Sequence, residues 1–280
     1  MSCGSAVSPG GPVAPRVSGR VRLLQYLGLV VLSLALWVAV LLLAFGKSPA
    51  ALLHTGQLPE AAIVLYGVGL YVILLGSAAW VWTRDAGGIR FGFSAEKLLE
   101  GLAIGGMSLA VLVGIQAALG WISLRTGARL PALEVLSAAA VAMAYAISEE
   151  ILFRGFVLGL LARDLAPGPA IVASSAIFAL AHFLHPLDLR SAALPFAGLF
   201  GAGALLASMR LRSRSLWPGI GLHASWIWYI TVTGQVGLLA VHAPAWAQAG
   251  SLAANPLALL ALVAIYLWFR RRYPARFASA

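Results

Sequence analysis

The sequence predicts an all-α fold, a polytopic transmembrane helical bundle of about eight helices. Three observations predict it. Hydrophobic types make up 61% of the 280 residues and charged types only 10%, whereas a soluble domain carries about 25% charged residues. Mean hydropathy is +0.93. Several apolar runs reach the roughly 20 residues needed to cross a hydrocarbon core. Alternating ten-residue patterns are absent, so a β-barrel is disfavoured. Helices remain, because they satisfy their own backbone groups inside lipid.

Gly, Pro and charge separate eight predicted spans, at about 22–46, 60–83, 97–124, 133–163, 167–184, 193–209, 216–233 and 256–271. Residues 1–20, rich in Ser, Gly and Pro, read as a disordered leader without a cleavage pattern. Residues 21–272 read as one helical domain with no internal repeat, and 273–280 as a short tail. Cys3 is the only cysteine, which excludes an internal disulfide.

Charge sets the topology. With the N-terminus inside, the inner loops receive Arg16, Arg20, Arg22, Arg84, Arg90, Lys97, Arg163, Arg210, Arg212, Arg214, Arg270, Arg271, Arg272 and Arg276. The outer loops receive Lys47, Arg125, Arg129 and Arg190. Fourteen against four, with Arg154 inside a span, favours eight spans and two cytoplasmic termini. The sixth span is short and rich in Gly and Ala, and the arginines at 210–214 argue against a re-entrant loop there. The net charge of +10 therefore reads as membrane topology. No folded basic face is available for nucleic acid. The run Arg270 to Arg272, with Trp268 and Tyr273, reads as an interface anchor. Trp217, Trp226 and Trp228 are interface anchors or, for the latter two, walls of a cavity.

Charges inside a span cost roughly 2.5–3.5 kcal/mol each on insertion scales. One span carries three: Glu149, Glu150 and Arg154. Glu150 and Arg154 are four apart, so they share a helix face and can pair. Glu149 points about 100° away and has no cation in its own helix. A carboxylate in low dielectric without a paired cation suits acid–base chemistry. The next span ends with Phe178 and, one turn later, His182. Glu149 and His182 each lie fourteen residues from the inner ends of neighbouring spans, roughly 21 Å deep. His185 is a reserve candidate nearer the outer end. His223, in the seventh span, lies by the same arithmetic only roughly 10 Å deep. It joins the others only if that helix is tilted or its start misplaced.

A carboxylate and two histidines have two chemical readings. They can hold zinc and leave a water position open. Alternatively Glu149 and His182 activate water directly while His223 stabilises an oxyanion. No HExxH motif is present. A transporter would need a continuous polar path, and few polar residues lie outside these segments. Ser174 and Ser175 read as tight helix packing.

Together the three segments resemble the CAAX protease and bacteriocin-processing family, also called the Abi or type II CAAX prenyl protease family of intramembrane proteases. Its pattern is EExxxR, then FxxxH, then HxxxN on successive helices. Glu149-Glu150-Ile-Leu-Phe-Arg154 and Phe178-Ala-Leu-Ala-His182 match the first two fully. His223 matches the third, but Ile227 stands where the pattern has Asn. The resemblance covers about residues 133–233. It implies that Glu149 and His182 activate water, and that His223 and the absent amide bind the oxyanion or a metal. Glu150, Arg154 and Phe178 would support them. One divalent metal, zinc, is compatible with Glu149, His182 and His223, and no organic cofactor is called for. The implied partners are the lipid bilayer and a membrane-anchored protein or peptide substrate, and the high Ala, Gly, Leu and Arg content reads as bacterial, hence a plasma membrane location. Ile227 leaves open a non-catalytic relative that binds membrane peptides or confers bacteriocin immunity.

Overall fold

A computed structural model of the chain describes residues 17–48, 59–83, 92–125, 131–182, 189–236, 238–247 and 251–274. The protein is a helical, polytopic membrane protein with a short two-stranded ribbon. Helix α1 spans Gly19–Ala44, and the Ser18 hydroxyl caps it by accepting from the Val21 N–H. Helix α2 spans Glu60–Thr83 and α3 spans Ala95–Ala118, the latter capped by Ser94. Helix α4, Ala132–Glu149, runs through a π-wound segment, Glu150–Val157, into α5, Leu158–Asp164. Helix α6 spans Pro167–Ala181, with Pro in its first turn where a missing N–H costs nothing. Helices α7, Leu189–Ser213, α8, Trp217–Val236, and α9, Pro256–Arg272, complete the bundle.

Among the described residues, five helical stretches are long and apolar enough to cross a membrane: Gly19–Ala44, Glu60–Thr83, Ala95–Ala118, Ala132–Asp164 and Ala193–Ser213. Helices α6 and α9 are shorter. Helix α8 is long enough but more polar, and its position explains why. It packs chiefly against α3 and α4, and residues 218–225 are buried or nearly so. A helix screened from lipid by its neighbours has no need of an apolar circumference. Polarity is distributed from inside to outside. Leu32, Leu36, Leu43, Val72 and Leu133 are exposed, whereas Glu150, Arg154, His223, Gln116 and Asn255 are buried.

Small residues bring α3 and α8 together. A Cβ on Gly101 would overlap the Pro218 carbonyl, and one on Gly221 would overlap the Leu98 carbonyl. A Cβ on Gly105 would meet Ser225 at 2.6 Å. Gly101 and Gly105 are four apart on one face, so the backbones approach closely, as small-xxx-small spacing permits.

The third predicted span is shorter than expected. Helix α3 ends at Ala118, and Gly120 takes a positive φ of 68° that turns the chain out of the helix. The following Ile122–Leu124 forms strand β1, antiparallel to β2, Leu239–Val241, with Ser123 opposite Ala240. Neither strand was expected, because three residues are too few to show an alternating pattern. The sixth predicted span is longer than expected, a single helix of 25 residues that continues past Pro195. Cys3 and His185 lie outside the described residues.

Candidate active site

Glu149 is the last residue of α4, and Glu150 opens the π-wound turn. Their carboxylates point to different partners, as the offset between adjacent helical residues requires. Glu150 Oε1 accepts from Arg154 Nη1 at 2.9 Å, with both side chains 1% exposed. The same oxygen lies 3.0 Å from His223 Nδ1. Glu149 Oε1 accepts instead from the Tyr71 hydroxyl of α2 at 2.9 Å. Glu149 Oε2 is buried without a hydrogen-bond partner. His182 Nε2 and His223 Nε2 face it at 3.9 and 3.7 Å.

Each imidazole is oriented through its other nitrogen. Helix α6 loosens at its end, where the His182 N–H reaches the Ala179 carbonyl rather than that of Phe178. The Phe178 carbonyl then accepts from His182 Nδ1 at 2.8 Å. His223 Nδ1 donates to Glu150. With Nδ1 of each ring engaged, both Nε2 atoms turn towards Glu149 Oε2 and leave a place between them for a proton, a water or a cation.

Phe178 holds the arrangement together. The Arg154 guanidinium carbon sits 4.1 Å from the centre of its ring. His182 and Phe153 meet the ring edge-on at 4.6 and 5.1 Å, and His223 lies 6.1 Å away. The aromatic face thus stabilises a buried cation beside its carboxylate. Ser174 donates to the Phe153 carbonyl and Ser175 to that of Ile171, in keeping with a packing role.

All six predicted site residues therefore come together. The depth estimate that set His223 apart does not hold. Gly105 of α3 lies against Ser225 and the Leu222 carbonyl, so His223 is about level with a residue ten positions into α3. That is about 15 Å from the start of α3. Helix α8 begins well inside the level where α3 begins, and counting from its own start underestimates the depth.

The three groups lie on the wall of a cavity of about 200 Å³. Its other walls are largely apolar and include Leu109, Leu199, Leu206, Ile230 and Leu262. Ile227 also lines it, one turn beyond His223, and offers no donor. Ser225 does not replace the amide, because its hydroxyl donates to the Gly221 carbonyl and faces α3. Trp226 lines the cavity with Ser108, towards whose hydroxyl its indole N–H points at 3.4 Å. Trp228 donates to the Val135 carbonyl of α4, and Trp217 lies against Phe93 at the arginine-rich end. Tyr71 was not foreseen: it sits in an apolar run 78 residues before Glu149 and carries no local signal.

The donor set suits a divalent metal in its chemistry: one carboxylate oxygen without a partner, and two Nε2 atoms whose rings are oriented from behind. Tetrahedral zinc with bonds of about 2.0–2.2 Å sets its ligand atoms about 3.4 Å apart. The 3.7 and 3.9 Å separations are a few tenths wider. Among the described residues no group of three such side chains forms a ready metal cage.

No curated protein and no solved structure matches the chain. A family model does, over residues 131–229, described as type II CAAX prenyl endopeptidase Rce1-like. The matched segment contains Glu149, Glu150, Arg154, Phe178, His182 and His223, the residues that converge around the cavity. Over these residues, about a third of its length, the chain is thus similar to the type II CAAX prenyl endopeptidases.

Proposed function

We propose that the protein is an intramembrane endopeptidase that hydrolyses a peptide bond in a membrane-embedded or lipid-anchored protein or peptide. One observation carries the reading. Glu149 Oε2 is buried and unpartnered on a cavity wall, with the Nε2 atoms of His182 and His223 turned towards it. A water among these three atoms would donate to Glu149 and be oriented by His182. Glu149 takes a proton as the water oxygen attacks the scissile carbonyl. The tetrahedral oxyanion is stabilised by His223 when both its nitrogens carry protons, held before the attack and kept through it, with Nδ1 donating to Glu150 and Nε2 to the oxyanion. The C–N bond then breaks, and the proton held by Glu149 passes to the leaving amine. The Tyr71 hydroxyl holds Glu149 Oε1 and leaves Oε2 for the water.

A divalent metal, if bound, would be held by Glu149, His182 and His223, and would acidify the water and polarise the carbonyl. Without a metal, the three residues would hold the water directly.

The positive-charge asymmetry supports an orientation with both termini in the cytoplasm, and the high Ala, Gly, Leu and Arg content supports a bacterial plasma membrane. The apolar cavity supports a substrate that reaches the site from the lipid.

Ile227 favours a second reading, a relative that binds membrane peptides or confers immunity without cleaving. Loss of one oxyanion donor typically costs about 10²–10³ in rate. The test is cleavage of membrane-anchored peptides by wild type, by Glu149→Ala and by chelator-treated protein. The protease reading expects cleavage that disappears in Glu149→Ala, with chelator sensitivity reporting on a metal. Cleavage unchanged in Glu149→Ala would overturn the site assignment. Peptide binding without cleavage, from folded protein, would favour the second reading.

A further inference from the structure

A second, smaller cavity lies on the opposite side of α4 from the carboxylate site, at the arginine-rich end of the bundle. It is lined by Arg210, Arg214, Ser215 and Trp217, with Ile147, Ile151 and Ile220 among its apolar walls, and has a volume of about 50 Å³. Several cations of this protein are paired. Arg154 pairs with Glu150, Arg20 with Asp164 and Arg272 with Glu100, while Arg212 donates to the Tyr273 carbonyl. Among the described residues, neither Arg210 nor Arg214 has a hydrogen bond or ion pair. Arg210 is half-buried, so its charge is partly desolvated with no anion among the described residues to compensate, while Arg214 is exposed. Lys97 adds positive charge nearby, donating to the Ser213 carbonyl at 3.0 Å.

The backbone points the same way. Arg214 is the one described non-glycine residue with positive φ, at 54°. Holding a residue with a Cβ in that left-handed conformation is strained. Glycine would turn the chain between α7 and α8 more easily, so this turn keeps a guanidinium beside the cavity at the expense of backbone strain.

We propose that this cavity binds the phosphate of an anionic phospholipid headgroup, with Arg210 and Arg214 as donors. Two guanidinium groups match phosphate geometry. The source is lipid rather than a soluble anion because the other walls are largely apolar, with Ile147, Ile151, Leu216 and Ile220, and the cavity lies at an end of the membrane-spanning helices where headgroups gather. Trp217 and the exposed Phe93 meet edge-to-face at 4.7 Å beside the cavity, the aromatic pattern of a membrane–water interface. Basic pockets between helices on the inner side of a membrane are the usual seats of such headgroups.

The test is native mass spectrometry of purified protein offered equal amounts of phosphatidylglycerol and phosphatidylcholine, with thermal stability read alongside. Wild type should retain phosphatidylglycerol preferentially and be stabilised by it. The Arg210→Gln/Arg214→Gln variant should lose that retention by about tenfold or more. Arg214→Gly should lose part of it while melting no lower than wild type, because it relieves the positive φ. The Arg270→Gln/Arg271→Gln variant, which removes the same charge from the end of α9, should change retention less than twofold. Equal retention by wild type and the Arg210/Arg214 variant would overturn the proposal. So would an equal loss in the α9 variant, which would show general attraction to an anionic surface. Equal stabilisation by inorganic phosphate alone would show a soluble-anion site and overturn the lipid assignment.

Discussion

Glu149 and Glu150 are adjacent and chemically identical, yet they answer to different surroundings. Glu150 is locked between Arg154 and His223, whereas Glu149 keeps one oxygen free beside two imidazoles. Substitution should therefore affect them differently. Glu149→Gln keeps the shape and should lower cleavage by about 10²–10⁴, with a melting temperature near that of wild type. Glu150→Ala leaves the Arg154 guanidinium buried without its carboxylate and should destabilise by about 3–5 kcal/mol. Thermal unfolding in detergent separates the two, and equal destabilisation would argue that Glu149 is merely structural. Ile227 supplies a third measurement. Its side chain lines the cavity one turn from His223. Ile227→Asn would restore an oxyanion donor and should raise kcat by about 10–100-fold with little change in KM. No gain in an active enzyme would mean that another group, such as the Trp226 indole N–H, already fills that role.

At the scale of elements, the site depends on how closely α3 and α8 approach. Gly101→Leu places a side chain where the Pro218 carbonyl lies and should push α8 away. About 1–3 kcal/mol of stability should be lost, together with activity, because His223 is carried by α8. The nearby Gly106 has open space around its Cβ position, so Gly106→Leu should leave activity intact. The end of α9 is held in another way. Tyr273 donates to Glu100 Oε2 at 2.6 Å, and burial together with that carboxylate pushes its phenol up to about 12. Because the folded-state value is raised, this contribution is complete below about pH 10 and is lost as pH rises towards 12. Tyr273→Phe should therefore lower the melting temperature at pH 8 and narrow its difference from wild type above pH 11.

For the molecule as a whole, lipid-facing apolar side chains surround a polar interior, and positive charge gathers at one end. Arg20, Lys97, Arg163, Arg212 and Arg272 lie at the helix ends that share it. The β1–β2 ribbon stands at the opposite end of α3, where Trp121 and Trp246 meet edge-on at 5.5 Å. In a Cys3→Ser background, cysteine at Ser123 should react with a membrane-impermeant maleimide in intact cells, and cysteine at Arg214 should react only after lysis. The reverse pattern would invert the topology and put the cavity lined by Arg210 and Arg214 in the other leaflet.

Much of this was legible along the chain. Hydropathy marked the helices to within a few residues in most cases, because a chain in lipid must satisfy its backbone by helix formation wherever it is apolar. The spacing of Glu150 and Arg154 announced their pair, because helical geometry alone makes residues four apart neighbours. The distinct placement of Glu149 followed from the same geometry. Tertiary structure alone decided the rest. Tyr71 reaches Glu149 from another helix, and no local pattern encodes such a contact. The depth of His223 is set by glycines of α3 and α8 that fix the level at which the two backbones meet. Arg210 and Arg214 read in sequence as topology signals, and only packing sets them around a common cavity. Helix periodicity assigns each side chain a direction on its own helix, but the register between helices comes from side-chain volumes that meet only in the folded protein.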